Sequence, residues 1–238
     1  MNRTLTITEL KNIFGSFQKA QEIFLLLADE KKVVRQGFYE NETGKIIEFC
    51  KKHRIYLVKS RFKIILTDAE KGFSNIGIKT KEDDERNGMI FLYLSKDEKS
   101  AYLASYYEIM NDSGNLGRIL EYPECCIDFF LKNWSKENSN PEHEPTNPYT
   151  NITRRNDDLV LISHFPCSSE CKKSIALGKR YYNKLKGFDE DHAEILYIGL
   201  SRNIKNQMQE IKIKDNNKDQ GKTDLQVNRA RENCNKID

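Results

Sequence analysis

Two short stretches, LEYPECCIDFF at 120–130 and SHFPCSSEC at 163–171, concentrate thiols that the rest of the chain uses sparingly. Each sets a proline just ahead of a cysteine, and between them they hold Cys125, Cys126, Cys167 and Cys171, while Cys50 and Cys234 stand alone. Six cysteines in 238 residues are too few for a disulfide scaffold, and clustered thiols in a reducing compartment point instead to metal or redox chemistry. The fold is therefore expected to bring the two motifs together although 41 positions separate Cys126 from Cys167. Cys50, in KIIEFCKKH, reads as a plain buried thiol on a helix face.

Apolar periodicity sets the coarse architecture. Leu10, Ile13, Phe14, Phe17, Ile23, Phe24 and Leu27 recur at three- and four-residue spacing, which predicts one or two helices in 5–32, with Thr8 and Glu9 as the start signal. A helix at 43–53 leads into RIYLVKSRFKIILTD, whose β-branched and aromatic residues predict one or two strands. MIFLYLS at 89–95 reads as a buried strand and KDEKSAYLASYYEIM as a helix. Tyr122 and Pro123 break the next helical stretch, so that a helix begins at the cysteine pair and runs through Trp134. Residues 135–158 read as a long polar loop, 159–165 as a short strand, and SSECKKSIALGKRYYNKLKG as a helix capped by Ser168 or Ser169 and closed by Gly187. A last helix is expected over 189–211, followed by a flexible polar tail at 212–238. The expected class is α+β, with mixed α/β as the alternative: a helix-rich single domain with a small sheet. Within it, residues 1–87 form a helical and strand region and 88–211 the cysteine-motif region.

Composition narrows the function. A hydrophobic fraction of 38% is enough to bury a core, and a net charge of +3, evenly mixed, gives no footprint for nucleic acid or an anionic membrane. The N-terminus lacks a continuous apolar signal core and no run approaches the roughly 20 residues of a membrane span, so a cytoplasmic protein is expected. The partner, small molecule or macromolecule, is left unassigned.

Both cysteine motifs fall on this reading at helix N-termini, where unpaired backbone N–H groups and the helix dipole favour thiolates. Cys167 and Cys171, four apart, would share one helix face, whereas adjacent Cys125 and Cys126 diverge by about 100°, so that only one is expected to face the site. His164, three residues before Cys167, adds a nitrogen to the pool of ligands. The spacing matches neither zinc-finger knuckles nor the ferredoxin run, yet it suits an iron–sulfur cluster or zinc held between two helix ends. Asn151 and Arg154 in NPYTNITRR are candidates for binding an anionic or amide-bearing ligand, against the alternative of a solvated loop. The leading expectation is a metal-binding protein of unassigned reaction. The alternatives are a non-catalytic module tied by a structural metal and a metal-free thiol redox protein.

At YPECC followed by IDFF, and at HFPCSSEC with Ser174 three residues on, the chain resembles a family of uncharacterised conserved proteins, largely archaeal, described as a domain of unknown function. The resemblance spans roughly 88–180. It implies Pro123, Cys125, Cys126, His164, Pro166, Cys167, Cys171 and Ser174 as marked positions and brings no reaction with it. Glu121 stands where such motifs usually carry glycine.

Overall fold

Gly15, at φ 90°, divides the N-terminal helical stretch into α1 (Ile7–Phe14) and α2 (Phe17–Leu27) in the computed structural model, which describes residues 5–66, 77–135, 137–202 and 204. The expected start at Thr8 is corrected by two residues. Thr6 Oγ1 accepts the Glu9 N–H at 3.1 Å while the Glu9 carboxylate accepts the Thr6 N–H at 3.0 Å, a reciprocal cap that requires residues three apart. Ser16 caps α2, and the Asp158 carboxylate accepts the N–H groups of Phe17 and Gln18, which ties this helix start to a loop far along the chain.

Four antiparallel strands form the sheet, in the order β1 (Val33–Phe38), β4 (Met89–Ser95), β2 (Tyr56–Leu66), β3 (Gly77–Lys81). Val33 lies opposite Ser95 and Phe38 opposite Ile90, while on the other flank of β4 Tyr56 faces Ser95 and the register shifts between Lys59 and Lys63. A wholly antiparallel sheet makes the class α+β and removes the parallel βαβ alternative. Side-chain alternation sends Val34, Phe38, Ile90, Leu92 and Leu94 into the main core with α1, α2, α3 (Thr43–His53) and α7 (Lys172–Lys186). Val33 and Tyr93 point the other way, toward Ala104 of α4 (Glu98–Ile109) and Leu120 after α5 (Ser113–Ile119). Both faces of β4 are thus covered, which explains why MIFLYLS is apolar throughout.

α6 (Glu124–Asn133) follows α5 after Glu121, a non-glycine residue at φ 60°, and α8 spans residues 190–202. Residues 159–165 form no strand. Val160, Leu161 and Ile162 are buried, and the latter two join the main core without pairing to the sheet, so the apolar run signals burial and not a ladder. The polar stretch 135–158 contains two single 3₁₀ turns, at Pro148–Thr150 and Arg155–Asp157. Among the described residues no helix is long and apolar enough to cross a membrane. The expected end of the last helix at 211 and the polar tail at 212–238 lie outside the described residues.

The 148–150 turn rests directly on α7, and Gly178 is what lets it do so: a β-carbon there would stand 2.4 Å from the Tyr149 carbonyl oxygen. Gly178→Ala should therefore cost about 1–3 kcal/mol by overpacking despite alanine's better helix propensity, read as a shift in the urea midpoint. An unchanged or raised midpoint would mean that the turn is free to move off the helix.

Candidate metal centre

Pro123, at φ −59°, stands at the N-terminal boundary of α6, and its carbonyl accepts the N–H groups of Cys126 (2.8 Å) and Ile127 (3.0 Å). Cys125 and Cys126 thereby occupy the first turn of the helix. α7 begins one residue after Cys171, later than the serine-cap reading, and neither Ser168 nor Ser169 caps it. Ser168 Oγ instead accepts the Glu170 N–H (3.1 Å) and the Cys171 N–H closes a turn on the Ser168 carbonyl (3.0 Å). Cys167 and Cys171 consequently share a turn ahead of the helix and not a helix face, because short serine hydroxyls serve local turns as readily as caps.

The four sulfurs converge, all within 4.8 Å of one another. Cys125 Sγ is 3.9 Å from Cys126 Sγ and 3.8 Å from Cys171 Sγ, and Cys126 Sγ is 3.7 Å from Cys171 Sγ. The described cysteines are free thiols at these separations. The expectation that only one of the adjacent pair faces the site is corrected, since both do. Helical side chains lean toward the N-terminus, so two first-turn residues that diverge around the axis both project past the helix end and meet there. Cys126 and Cys171 are buried, Cys125 and Cys167 partly exposed, which gives the quartet an inner and an outer pair.

Proton affinity differs sharply among Cys126, Cys167 and Cys171. Burial pushes the Cys126 thiol far above its ordinary range and the Cys167 thiol up to about 11. Burial also acts to raise Cys171, but hydrogen bonds, foremost from the backbone N–H of Ser174 and with the thiols of Cys167 and Cys126 contributing, bring it down to about 7.

His164 stands outside the sulfur quartet, one hydroxyl behind it. Its Nε2 lies 2.8 Å from Ser174 Oγ, which in turn lies 3.2 Å from Cys126 Sγ. The ring is 6% exposed and packs against Tyr122 at 5.0 Å, and Nδ1 has no hydrogen-bond partner among the described residues. Burial, reinforced by the positive charge of Lys31, lowers its pKa to about 3 and keeps it neutral. Asn151 and Arg154 use polar groups within the fold at α8: Asn151 Nδ2 donates to the Leu200 carbonyl (2.9 Å), and Arg154 donates to the Gly199 carbonyl (3.3 Å) and pairs with Asp157.

Sequence reasoning passed over the buried pair that anchors the second motif. Glu22 of α2 pairs with Lys31, each 5% exposed, and also accepts from Ser163 Oγ and from Gln36 Nε2 of β1. Burial alone would lower the Lys31 pKa, but the Glu22 carboxylate, together with Tyr181 and Tyr122, outweighs it and the net shift is upward. Ser163 precedes His164, so this network fixes the polypeptide leading into HFPCSSEC. A charged residue on the apolar face of AQEIFLLL is the signal that marks it.

Comparison with known families gives one match: a family described as protein of unknown function (DUF483) fits residues 99–195, from α4 into α8, and the sulfur site lies wholly inside that span. The resemblance to a domain of unknown function is thereby found over nearly the same part of the chain. No curated protein and no solved structure matches.

Lys31→Met should cost about 3–5 kcal/mol in urea unfolding, because it strands a buried carboxylate, and adding Glu22→Gln to it should recover much of that loss. A single variant as stable as the parent would mean that the pair does not anchor the fold.

Proposed function

We propose that the four thiols hold one metal ion, of the zinc class, in a closed tetrahedral site whose role is to tie the α5–α6 hairpin to α7 through the 163–171 segment. One observation carries this. Four thiolates at about 2.3 Å from a shared ion stand about 3.8 Å apart along tetrahedral edges, and the sulfurs of Cys125, Cys126 and Cys171 lie at 3.7, 3.8 and 3.9 Å from one another with Cys167 Sγ within 4.8 Å of each. A four-iron cluster would set each cysteine on a different iron and hold the sulfurs further apart. A catalytic zinc keeps one coordination position open, whereas four thiols here fill all four.

The positions that the family resemblance marks then divide by role. Cys125, Cys126, Cys167 and Cys171 are the ligands, Pro123 sets the turn that presents the first pair, and His164 and Ser174 support Cys126 from behind. A thiolate quartet of this kind belongs in a reducing compartment such as the cytoplasm. The metal-free redox reading draws support from Cys171, a thiol whose pKa is lowered, but this sulfur is buried on the inner side of the quartet, and reactive cysteines are partly exposed.

Protein purified under reducing conditions is expected to be colourless and to carry one ion per chain. Removing the ion should cost on the order of 4 kcal/mol of stability where free metal stands near a thousand times its Kd. Cys126→Ser and Cys171→Ser should each lose the ion. Brown protein with iron and acid-labile sulfide would replace this reading with the cluster, and protein free of metal would leave thiol chemistry.

The ligands must shed protons to bind. Cys171 is about half ionised at neutral pH while Cys126 and Cys167 are held protonated, so uptake near pH 7 should release protons and apparent affinity should fall as pH is lowered. Calorimetry in buffers of different ionisation enthalpy reads the proton count. No release would contradict thiolate ligation.

A further inference from the structure

Behind the quartet lies an aligned series of polar atoms, Cys126 Sγ, Ser174 Oγ and His164 Nε2, at successive separations of 3.2 and 2.8 Å. Ser174 is fully buried and His164 nearly so. Cys126 also accepts the Cys167 backbone N–H at 3.4 Å. From this geometry, and resting on the single-ion reading above, we infer that Ser174 and His164 form a one-way hydrogen-bond relay. The relay aims a hydroxyl proton at the Cys126 thiolate and so positions that sulfur as a metal ligand, with His164 held in the tautomer that carries its proton on Nε2.

Donor and acceptor inventory sets the direction. A metal-bound thiolate has no proton to give, so across the 3.2 Å contact the Ser174 O–H must donate to sulfur. That hydroxyl has a single proton. Across the 2.8 Å contact Ser174 Oγ can then only accept, and the donor must be the N–H at His164 Nε2. The ring is neutral, so it carries one proton and Nδ1 is left as a bare lone pair. Nδ1 is also the ring nitrogen without a hydrogen-bond partner among the described residues, as an unused acceptor would be. A proton on Nδ1 would reverse the relay, turning Ser174 toward the imidazole and leaving the thiolate with one donor fewer.

Such a role explains why a histidine sits so close to the thiols without joining them. Partners behind a metal ligand typically contribute 10–100-fold to affinity by orienting it and stabilising its charge. His164 and Ser174 are positioning residues on this account and touch no ion themselves. Tyr122 packs against the imidazole, and Ser163, held by Glu22, fixes the backbone just ahead of it.

Two measurements on zinc-loaded protein test the relay. Long-range proton–nitrogen correlation on ¹⁵N-labelled wild-type chain should assign the His164 proton to Nε2, which needs no variant and is independent of any folding defect. Competition against a chromophoric chelator should show Ser174→Ala and His164→Asn weakening zinc binding by about 10–100-fold. His164→Gln, whose amide nitrogen reaches where Nε2 stands, should restore most of the affinity, an outcome that mere space-filling would not produce. Zinc-loaded protein with the His164 proton on Nδ1, or Ser174→Ala with unaltered affinity, would overturn the relay and leave the metal site standing. Wild-type chain that takes up no zinc would overturn both.

Discussion

Four sulfurs drawn to within 4.8 Å of one another repel as they ionise, and the architecture around them reads as the answer to that repulsion. Cys125 and Cys126 stand in the first turn of α6 and Cys171 at the start of α7, so the positive ends of two helix dipoles oppose the accumulated negative charge. The Cys167 amide and the Ser174 hydroxyl add donors at Cys126, the most deeply buried of the four. This convergence links segments more than 40 residues apart and joins the start of α6 to the start of α7. The turn from Cys167 to Cys171 is also held at its middle, where Thr150 Oγ1 donates to the Ser169 carbonyl and Thr146 Oγ1 to the Glu170 carboxylate, and the chain is fixed again beyond its ends.

Those ends are held from the other half of the chain. Ser163 is bonded to Glu22, which binds Lys31 and Gln36, and the carboxylate of Asp158 binds the first N–H groups of α2. The family match begins at residue 99, whereas Glu22, Lys31 and Gln36 precede it. In this chain the support for the matched region thus comes partly from elements outside it, and a buried ion pair is a demanding form of support, stable only while both partners are present.

Much of this was legible in the residues because it rests on local chemistry. YPECC announces a helix start at a proline, and the strands at 56–66 and 89–95 announce themselves by β-branched and aromatic runs. What escaped depends on distant partners. β1 carries Arg35 and Gln36 amid its apolar residues, and β3, mostly exposed, has almost no apolar pattern at all. Ser168 and Ser169 look like caps until the turn they stabilise is seen, and LVLISHF is apolar because it is buried, whether or not it pairs. Proximity in sequence made His164 a candidate ligand. Only the folded chain shows Ser174 standing between it and the sulfur.

X-ray absorption at the metal edge of the purified protein tests the central claim most directly, because it counts and identifies the atoms around the ion. The account predicts one shell of four sulfurs at about 2.3 Å with no metal–metal scattering. A nearby metal–metal shell, or a first shell containing nitrogen or oxygen, would contradict a single ion held by Cys125, Cys126, Cys167 and Cys171.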